Sequence, residues 1–153
     1  MRESRLDHRI VISAPLAIVW EAIADLTAVQ AYDPMVATAV LLPGPREGIG
    51  AGRTCSTKQA DVVERVIGFK PPQSIEMELV SSPWPVRSMR WATELAERDG
   101  GVEVRQRLVY APKYGLLGSL LDMLAMRRQM GKSITTVFLA LKAYCEERAH
   151  GDT

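Results

Sequence analysis

The chain has 153 residues, of which 47% are hydrophobic and 24% are charged, and its formal net charge is +1. These values are ordinary for a globular protein, and we expect one domain over residues 1–153 with a substantial core. A net charge this close to zero supplies no general attraction for nucleic acid or for anionic membranes. We therefore expect no nucleic-acid partner.

The sequence shows no segment suited to membrane insertion or export. Its most apolar stretch, residues 116–126, is interrupted by Ser119 and Asp122 and is too short to cross a bilayer. Residues 1–5 are charged and lead into no signal-peptide hydrophobic core. These features predict a cytoplasmic protein without stable membrane insertion.

Residues that bind metals or act as nucleophiles are scarce. Cys55 and Cys145 are the only cysteines, His8 and His150 are the only histidines, and none has metal-ligand spacing. We expect reduced, buried thiols, no metal site, and neither a Cys-His nor a Ser-His pair. The glycine-rich run 48–52 lacks the G-x-G-x-x-G spacing and precedes a strand pattern, so it predicts a flexible hairpin that binds no nucleotide. No cofactor is expected.

The first third of the chain alternates between strand and helix patterns. Residues 8–13 read as a strand, and apolar residues spaced three and four apart predict a helix from Leu16 to Leu26. Residues 27–31 predict a second short helix, which ends before Pro34 because the residue preceding proline avoids helical geometry. Residues 36–42 predict a strand, and the loop 43–52 follows it.

The middle of the chain contains only strand patterns separated by turn signals. Asp99-Gly100-Gly101 is a strong hairpin signal between the last two strands. The predicted strands are 53–59, 62–69, 74–81, 86–97 and 102–110.

One long helix is predicted from about residue 116 to about 147 or 148. Its apolar positions form two faces, and we expect it to bury Leu120, Leu124, Ile134, Phe138 and Leu141. Gly131 predicts a close backbone contact or a bend, because glycine costs a helix about 1 kcal/mol relative to alanine. The basic cluster 127–132 reads either as a solvated face or as one arginine turned inward to hold an acidic ligand group.

These elements predict an α+β fold of one architecture. The predicted sheet has two short helices after its first strand and one long helix at its end. It can best bury its apolar face by curving around the long helix. We therefore expect a helix-grip fold in which a curved antiparallel sheet wraps the C-terminal helix.

The order and spacing of several segments resemble a known superfamily. The segments are a strand, Ala14-Pro15 and a helix with Val19-Trp20, then the Tyr32-Asp33-Pro34 turn, the run 64–72 into a double proline, and Tyr110-Ala111-Pro112 before the long helix. Over roughly residues 8–147 the chain resembles the START-like, SRPBCC superfamily of polyketide cyclase/dehydrase type. The resemblance implies a hydrophobic cavity between sheet and helix that holds an apolar small molecule. It carries over no catalytic residue, and many relatives have an aromatic residue where Asp33 stands.

Alternation places several side chains on the sheet face that would line such a cavity. The same pattern fits simple core packing. Cys55 and Thr57 share one face of their strand, which either lines the pocket or looks outward with Arg53. Tyr32 and Trp84 lie in segments that should border the mouth. The candidate ligand-binding residues are Tyr32, Cys55, Thr57, Met77, Trp84, Met89, Trp91, Gln106, Tyr110, Leu120 and Leu124.

Asp33 and Glu64 are the acids that we nominate for proton transfer, with Gln106 and Tyr110 as further polar candidates. Desolvation in an apolar pocket raises the pKa of a carboxyl into a useful range. The alternative is a solvated aspartate at a helix end and a surface glutamate on a strand.

Two functions remain open from the sequence. One is a cofactorless polyketide cyclase/dehydratase, whose pocket folds a reactive ligand while polar groups move protons. The other is a non-catalytic lipid or quinone carrier that interacts with a partner protein or a membrane enzyme. The sequence also leaves open whether the chain acts as a monomer or as a homodimer.

Overall fold

The structure is a computed structural model, and it describes residues 3–113, 117, 120 and 125–151. Its elements in chain order are β1 Ser4–Ile12, α1 Leu16–Ala24, α2 Val29–Tyr32, β2 Thr38–Leu41, β3 Gly52–Ser56, β4 Asp61–Lys70, β5 Ser74–Ser81, β6 Val86–Arg98, β7 Gly101–Pro112 and α3 Arg127–Gly151. The predicted fold class, a helix-grip α+β fold, is confirmed.

The strands form one curved, seven-stranded sheet in the order β1-β7-β6-β5-β4-β3-β2, and every neighbouring pair is antiparallel. The hairpin predicted at 99–101 joins β6 to β7. Gly100 adopts a φ of +84°, which L side chains rarely adopt. A Cβ on Gly101 would lie 2.6 Å from the carbonyl oxygen of Ile12, so only glycine lets β7 start this close to the end of β1.

The concave face of the sheet packs against α1 and α3. The largest core cluster joins all three layers and contains Ile12, Val19, Leu95, Val102, Val104, Phe138, Leu141 and Cys145. Phe138 and Leu141 are therefore buried as predicted, and Ile134 is half-buried against the same cluster.

Polar contacts fix the second half of α3 to the end of β1. The Lys142 ammonium donates to the carbonyl oxygen of Val11 at 2.8 Å and to Glu146 at 2.7 Å. The same carboxylate accepts the backbone N–H of Ser13 at 3.2 Å. The rings of Tyr32 and Tyr144 lie 5.6 Å apart and connect α2 to the same half of the helix.

Several predicted boundaries need correction. The third strand ends at Ser56 and not at residue 59, because the Thr57 hydroxyl accepts the N–H groups of Gln59 and Ala60 and donates to the carbonyl of Ala60. The first strand starts earlier than predicted, at Ser4.

The prediction that Leu120 is buried in the core is wrong. Its side chain is 54% exposed, because an apolar helix position is buried only where another element covers it, and the described core clusters meet the C-terminal helix from Met126 onward. Leu124 lies outside the described residues. Arg127 and Arg128 are exposed, which agrees with the solvated-face interpretation of the basic cluster.

Candidate functional site

Five of the predicted ligand-binding residues lie on the sheet face that meets α3. Met89 and Tyr110 are directly opposed across β6 and β7 and belong to a buried cluster against which Met130 and Ile134 of α3 pack. Met77 of β5 is directly opposite Trp91 of β6, and Trp91 lies two residues after Met89 in β6. Gln106 pairs with Thr93 on the same face.

These five side chains differ in accessibility. Met77, Met89 and Tyr110 are buried. Trp91 and Gln106 are only half-buried, although each lies in a strand with a neighbour on both sides. Accessible surface is therefore retained in the middle of the concave face.

A second group of candidates surrounds a buried ion pair between β3 and β4. Nε of Arg53 donates to Oε1 of Glu64 at 2.8 Å, and Nη1 donates to the carbonyl oxygen of Leu26 at 3.0 Å. The thiol of Cys55 lies 3.8 Å from the same Glu64 oxygen. The alternative in which this face looks outward is wrong, because Arg53 is held inside by two partners that a strand pattern does not reveal.

Burial shifts the pKa values around this pair. It raises the pKa of the Cys55 thiol to about 12 and keeps that thiol protonated at neutral pH. It also raises the pKa of the Tyr32 hydroxyl and of the Asp33 carboxyl. Burial alone lowers the pKa of the Arg53 guanidinium, but the charge and hydrogen bond of Glu64, together with smaller effects of Cys55 and Tyr32, outweigh it, and the net shift is upward.

The two carboxylates of this group are held differently. Glu64 is committed to Arg53, and its side chain is 13% exposed. Asp33 ends α2 and is half-buried, and its carboxylate accepts only the N–H of Met35, at 2.9 Å, among the hydrogen bonds of the described residues. Asp33 is therefore the acid with more freedom to exchange a proton.

The Arg53–Glu64 ion pair lies on the same concave face of the sheet as Met89 and Tyr110. Glu64 is opposite Leu79 across β4 and β5, and Leu79 packs against the cluster that contains Met89 and Tyr110. Tyr32, Asp33, Cys55 and Glu64 thus lie at one side of the same concave surface.

The remaining candidates lie outside these groups. Thr57 closes the β3–β4 turn through its hydroxyl, and Trp84 is exposed in the β5–β6 connection. Two surface clefts, of about 210 and 560 Å³, contain none of the predicted site residues. Within the described residues, no group of three or more His, Cys, Asp or Glu side chains is arranged to hold a metal ion.

Sequence reasoning missed two residues of this surface, Arg53 and His8. His8 is opposite Gln106 across β1 and β7, and the added Cβ of a residue at Gly131 would lie 3.8 Å from its Nε2. The sequence signal for His8 is alternation: it lies two residues before Ile10 and four before Ile12, and alternate residues of a strand share a face.

A family model described as polyketide cyclase/dehydrase and lipid transport matches residues 4–146. The chain belongs to this family. The family and the fold support a role in binding a hydrophobic ligand. No curated protein matches the chain in sequence, and no helix in the described part of the chain is long and apolar enough to span a membrane.

Three solved structures with the same fold are distant from this chain in sequence. Ara h 8.0201 is 12% identical, with a TM-score of 0.76 over 94% of this chain and 98% of that one. An uncharacterised protein from Bacillus thuringiensis is 13% identical, with a TM-score of 0.73 over 92% and 98% of the two chains. XoxI from Bacillus cereus is 13% identical, with a TM-score of 0.73 over 93% and 95%. At these identities the likeness shows the Bet v1-like fold alone.

Proposed function

We propose that this member of the polyketide cyclase/dehydrase and lipid transport family binds an apolar or amphipathic small molecule between the concave sheet face and the C-terminal helix. The observation that carries the proposal is the half-buried state of Trp91 and Gln106 in central strands. A side chain in that position stays accessible only if there is space above it, on the side of α3. Apolar walls with a few polar groups are typical of ligand sites.

The residues around this space suit a ligand with a large apolar body. Trp91 offers a rigid aromatic surface, and Met77, Met89 and Met130 around it are flexible and polarizable. Tyr110, Tyr32 and Cys55 complete the proposed lining, with Trp84 near the mouth.

Ligand-dependent thermal stability tests this proposal. A compound that binds only the native state raises the melting temperature as its concentration increases. We expect members of a panel of polyketide-like, lipid and quinone compounds to do so, and Trp91→Ala to reduce the shift. Ile67→Ala on the convex face is the matched control and should leave the shift unchanged. A panel without any shift would reject the binding role.

A cyclase/dehydratase activity is the second candidate, and the Asp33 carboxyl favours it. Its pKa is raised by burial and it lies beside the buried Arg53–Glu64 pair. Intramolecular aldol cyclisation and dehydration change no redox state, so they require only positioning and proton transfer to and from oxygen and carbon. A protonated Asp33 is the group that we assign to donate the proton.

The carrier hypothesis and the enzyme hypothesis predict different results for Asp33→Asn. For a compound that binds, an enzyme should convert it to a product detectable by mass spectrometry, and Asp33→Asn should abolish conversion while retaining binding. A lipid or quinone carrier should return the compound unchanged from both proteins.

A further inference from the structure

Three polar side chains form a row across the middle of the concave face. His8, Gln106 and Thr93 are directly opposed in register on β1, β7 and β6. The inward neighbours of Gln106 on its own strand are Val104 and Leu108, both buried and apolar. The row is therefore a polar interruption of an apolar wall.

Two members of this row, His8 and Gln106, have side-chain atoms without a hydrogen bond to the described residues. Nδ1 of His8 is buried and has no hydrogen-bond partner in the part of the chain that the structure describes. The Gln106 side chain makes no hydrogen bond to the described residues either. Buried polar groups in proteins are almost always hydrogen-bonded, so Nδ1 of His8 is an exception that a partner outside the described residues would satisfy. The half-buried Gln106 amide beside it offers a donor and an acceptor to the same partner.

The row contains no carboxylate, lysine or arginine side chain. The charged neighbours on its strands point to the opposite face by alternation, where Asp7 and Arg105 form an ion pair. A buried carboxylate or phosphate requires a cationic partner. A row of imidazole, amide and hydroxyl groups instead suits a neutral oxygen.

We propose that His8 and Gln106 form a polar subsite that hydrogen-bonds a hydroxyl or neutral carbonyl oxygen of the ligand. The inference rests on the proposed binding function and specifies which ligands the same site selects. The Gln106 amide is half-buried and carries both a donor and an acceptor. A half-turn of the His8 ring about χ2 exchanges Nδ1 with Cδ2, which brings the unused nitrogen to the other edge of the ring.

The α3 backbone leaves room for this arrangement at Gly131. The nearest group that an added Cβ would meet is Nε2 of His8, at 3.8 Å. A larger side chain at Gly131 would therefore occupy the space beside the imidazole.

A matched pair of probes tests the subsite. 1-Naphthol and 1-methylnaphthalene have nearly the same shape, but only the first carries a hydroxyl group. Dissociation constants measured by calorimetric titration compare the wild type with Gln106→Met and His8→Phe. We expect each substitution to weaken 1-naphthol binding about five- to tenfold, the effect of one hydrogen bond, and to leave 1-methylnaphthalene within about twofold. Gln129→Met, at an exposed position of α3, should change neither.

The outcomes separate this inference from the proposed function. Equal losses for the two probes, or no loss for 1-naphthol, would overturn the subsite while leaving binding intact. Failure of both probes to bind the wild type, each tested up to its solubility, would overturn the subsite, and the thermal-shift panel would then decide whether the pocket binds any ligand. Thermal melts verify that the variants fold, and if His8→Phe does not, Gln106→Met decides the question.

Discussion

Arg53 and Glu64 form an ion pair at 2.8 Å inside the sheet, where their side chains are only 11% and 13% exposed. The pair joins β3 to β4, and its second donor, Nη1, reaches the Leu26 carbonyl after α1. The contact thus ties the helical side of the concave surface to the strands beneath it.

Breaking this ion pair should lower the stability of the folded protein. Arg53→Met leaves the Glu64 carboxylate buried without its partner, and we expect the free energy of unfolding to fall by about 3–5 kcal/mol. The double variant Arg53→Met/Glu64→Leu should recover much of that loss, because no charge then remains buried. Urea unfolding measures both.

The matched control lies on the convex face. Arg107 and Glu94 pair at 3.1 Å with side chains 53% and 44% exposed. Arg107→Met should change stability by less than about 1 kcal/mol. Equal losses for Arg53→Met and Arg107→Met would contradict the burial of the first pair.

Two leucines two positions apart on α3 test how the helix is seated. Leu141 is 3% exposed in the main core cluster, whereas Leu139 is 57% exposed. We expect Leu141→Ala to reduce the free energy of unfolding by about 2–5 kcal/mol and Leu139→Ala to change it by less than about 0.5 kcal/mol. Chemical denaturation of the two variants suffices, and a reversed order would mean that the helix presents another face.

The raised pKa of Asp33 predicts a pH effect of definite sign. Because burial raises this pKa above 3.8, the folded protein keeps the proton to a higher pH than the unfolded chain does. The wild type therefore loses stability relative to a neutral side chain as pH rises through that window. Asp33→Asn, which retains an oxygen for the Met35 N–H, should gain stability relative to the wild type in urea unfolding as the pH rises from about 4. A gain that is constant or shrinks with pH would contradict the shift.

Both thiols should be inert in the native protein. Cys55 and Cys145 are buried, and burial raises their pKa values to about 12 and about 11. Since the thiolate is the reactive form, we expect slow labelling by a thiol reagent at pH near 8 and rapid labelling after denaturation. The single variants Cys55→Ala and Cys145→Ala assign each rate, and fast native labelling of either site would count against its burial.

The sequence predicts strands reliably where apolar and polar residues alternate without interruption. β5 has the predicted bounds, Ser74–Ser81, because Ile75, Met77 and Leu79 mark one face throughout. The Asp99-Gly100 turn was equally clear, since a positive φ is a local requirement that glycine satisfies.

The errors arose where a residue's position depends on a distant partner. Arg53 reads as a surface residue until Glu64 is known to lie beside it. The sequence predicts that Leu120 is buried because it continues an apolar helical face. Burial also requires a neighbouring element over that face, and periodicity carries no information about such a neighbour. The assignment of ligand-binding residues remains a prediction for the same reason, since the ligand itself is a distant partner.

The pairing of β1 with β7 has a consequence for how the chain folds. Asp7 meets Arg105 across 98 positions, and the N–H of Ser13 meets Glu146 across 133. During synthesis β1 has no strand to join until β7 has emerged, and its apolar side stays uncovered until then. Contacts so distant along the chain require large loops to close first, which slows folding. We therefore expect refolding in milliseconds to seconds, with association of the two ends as a late event.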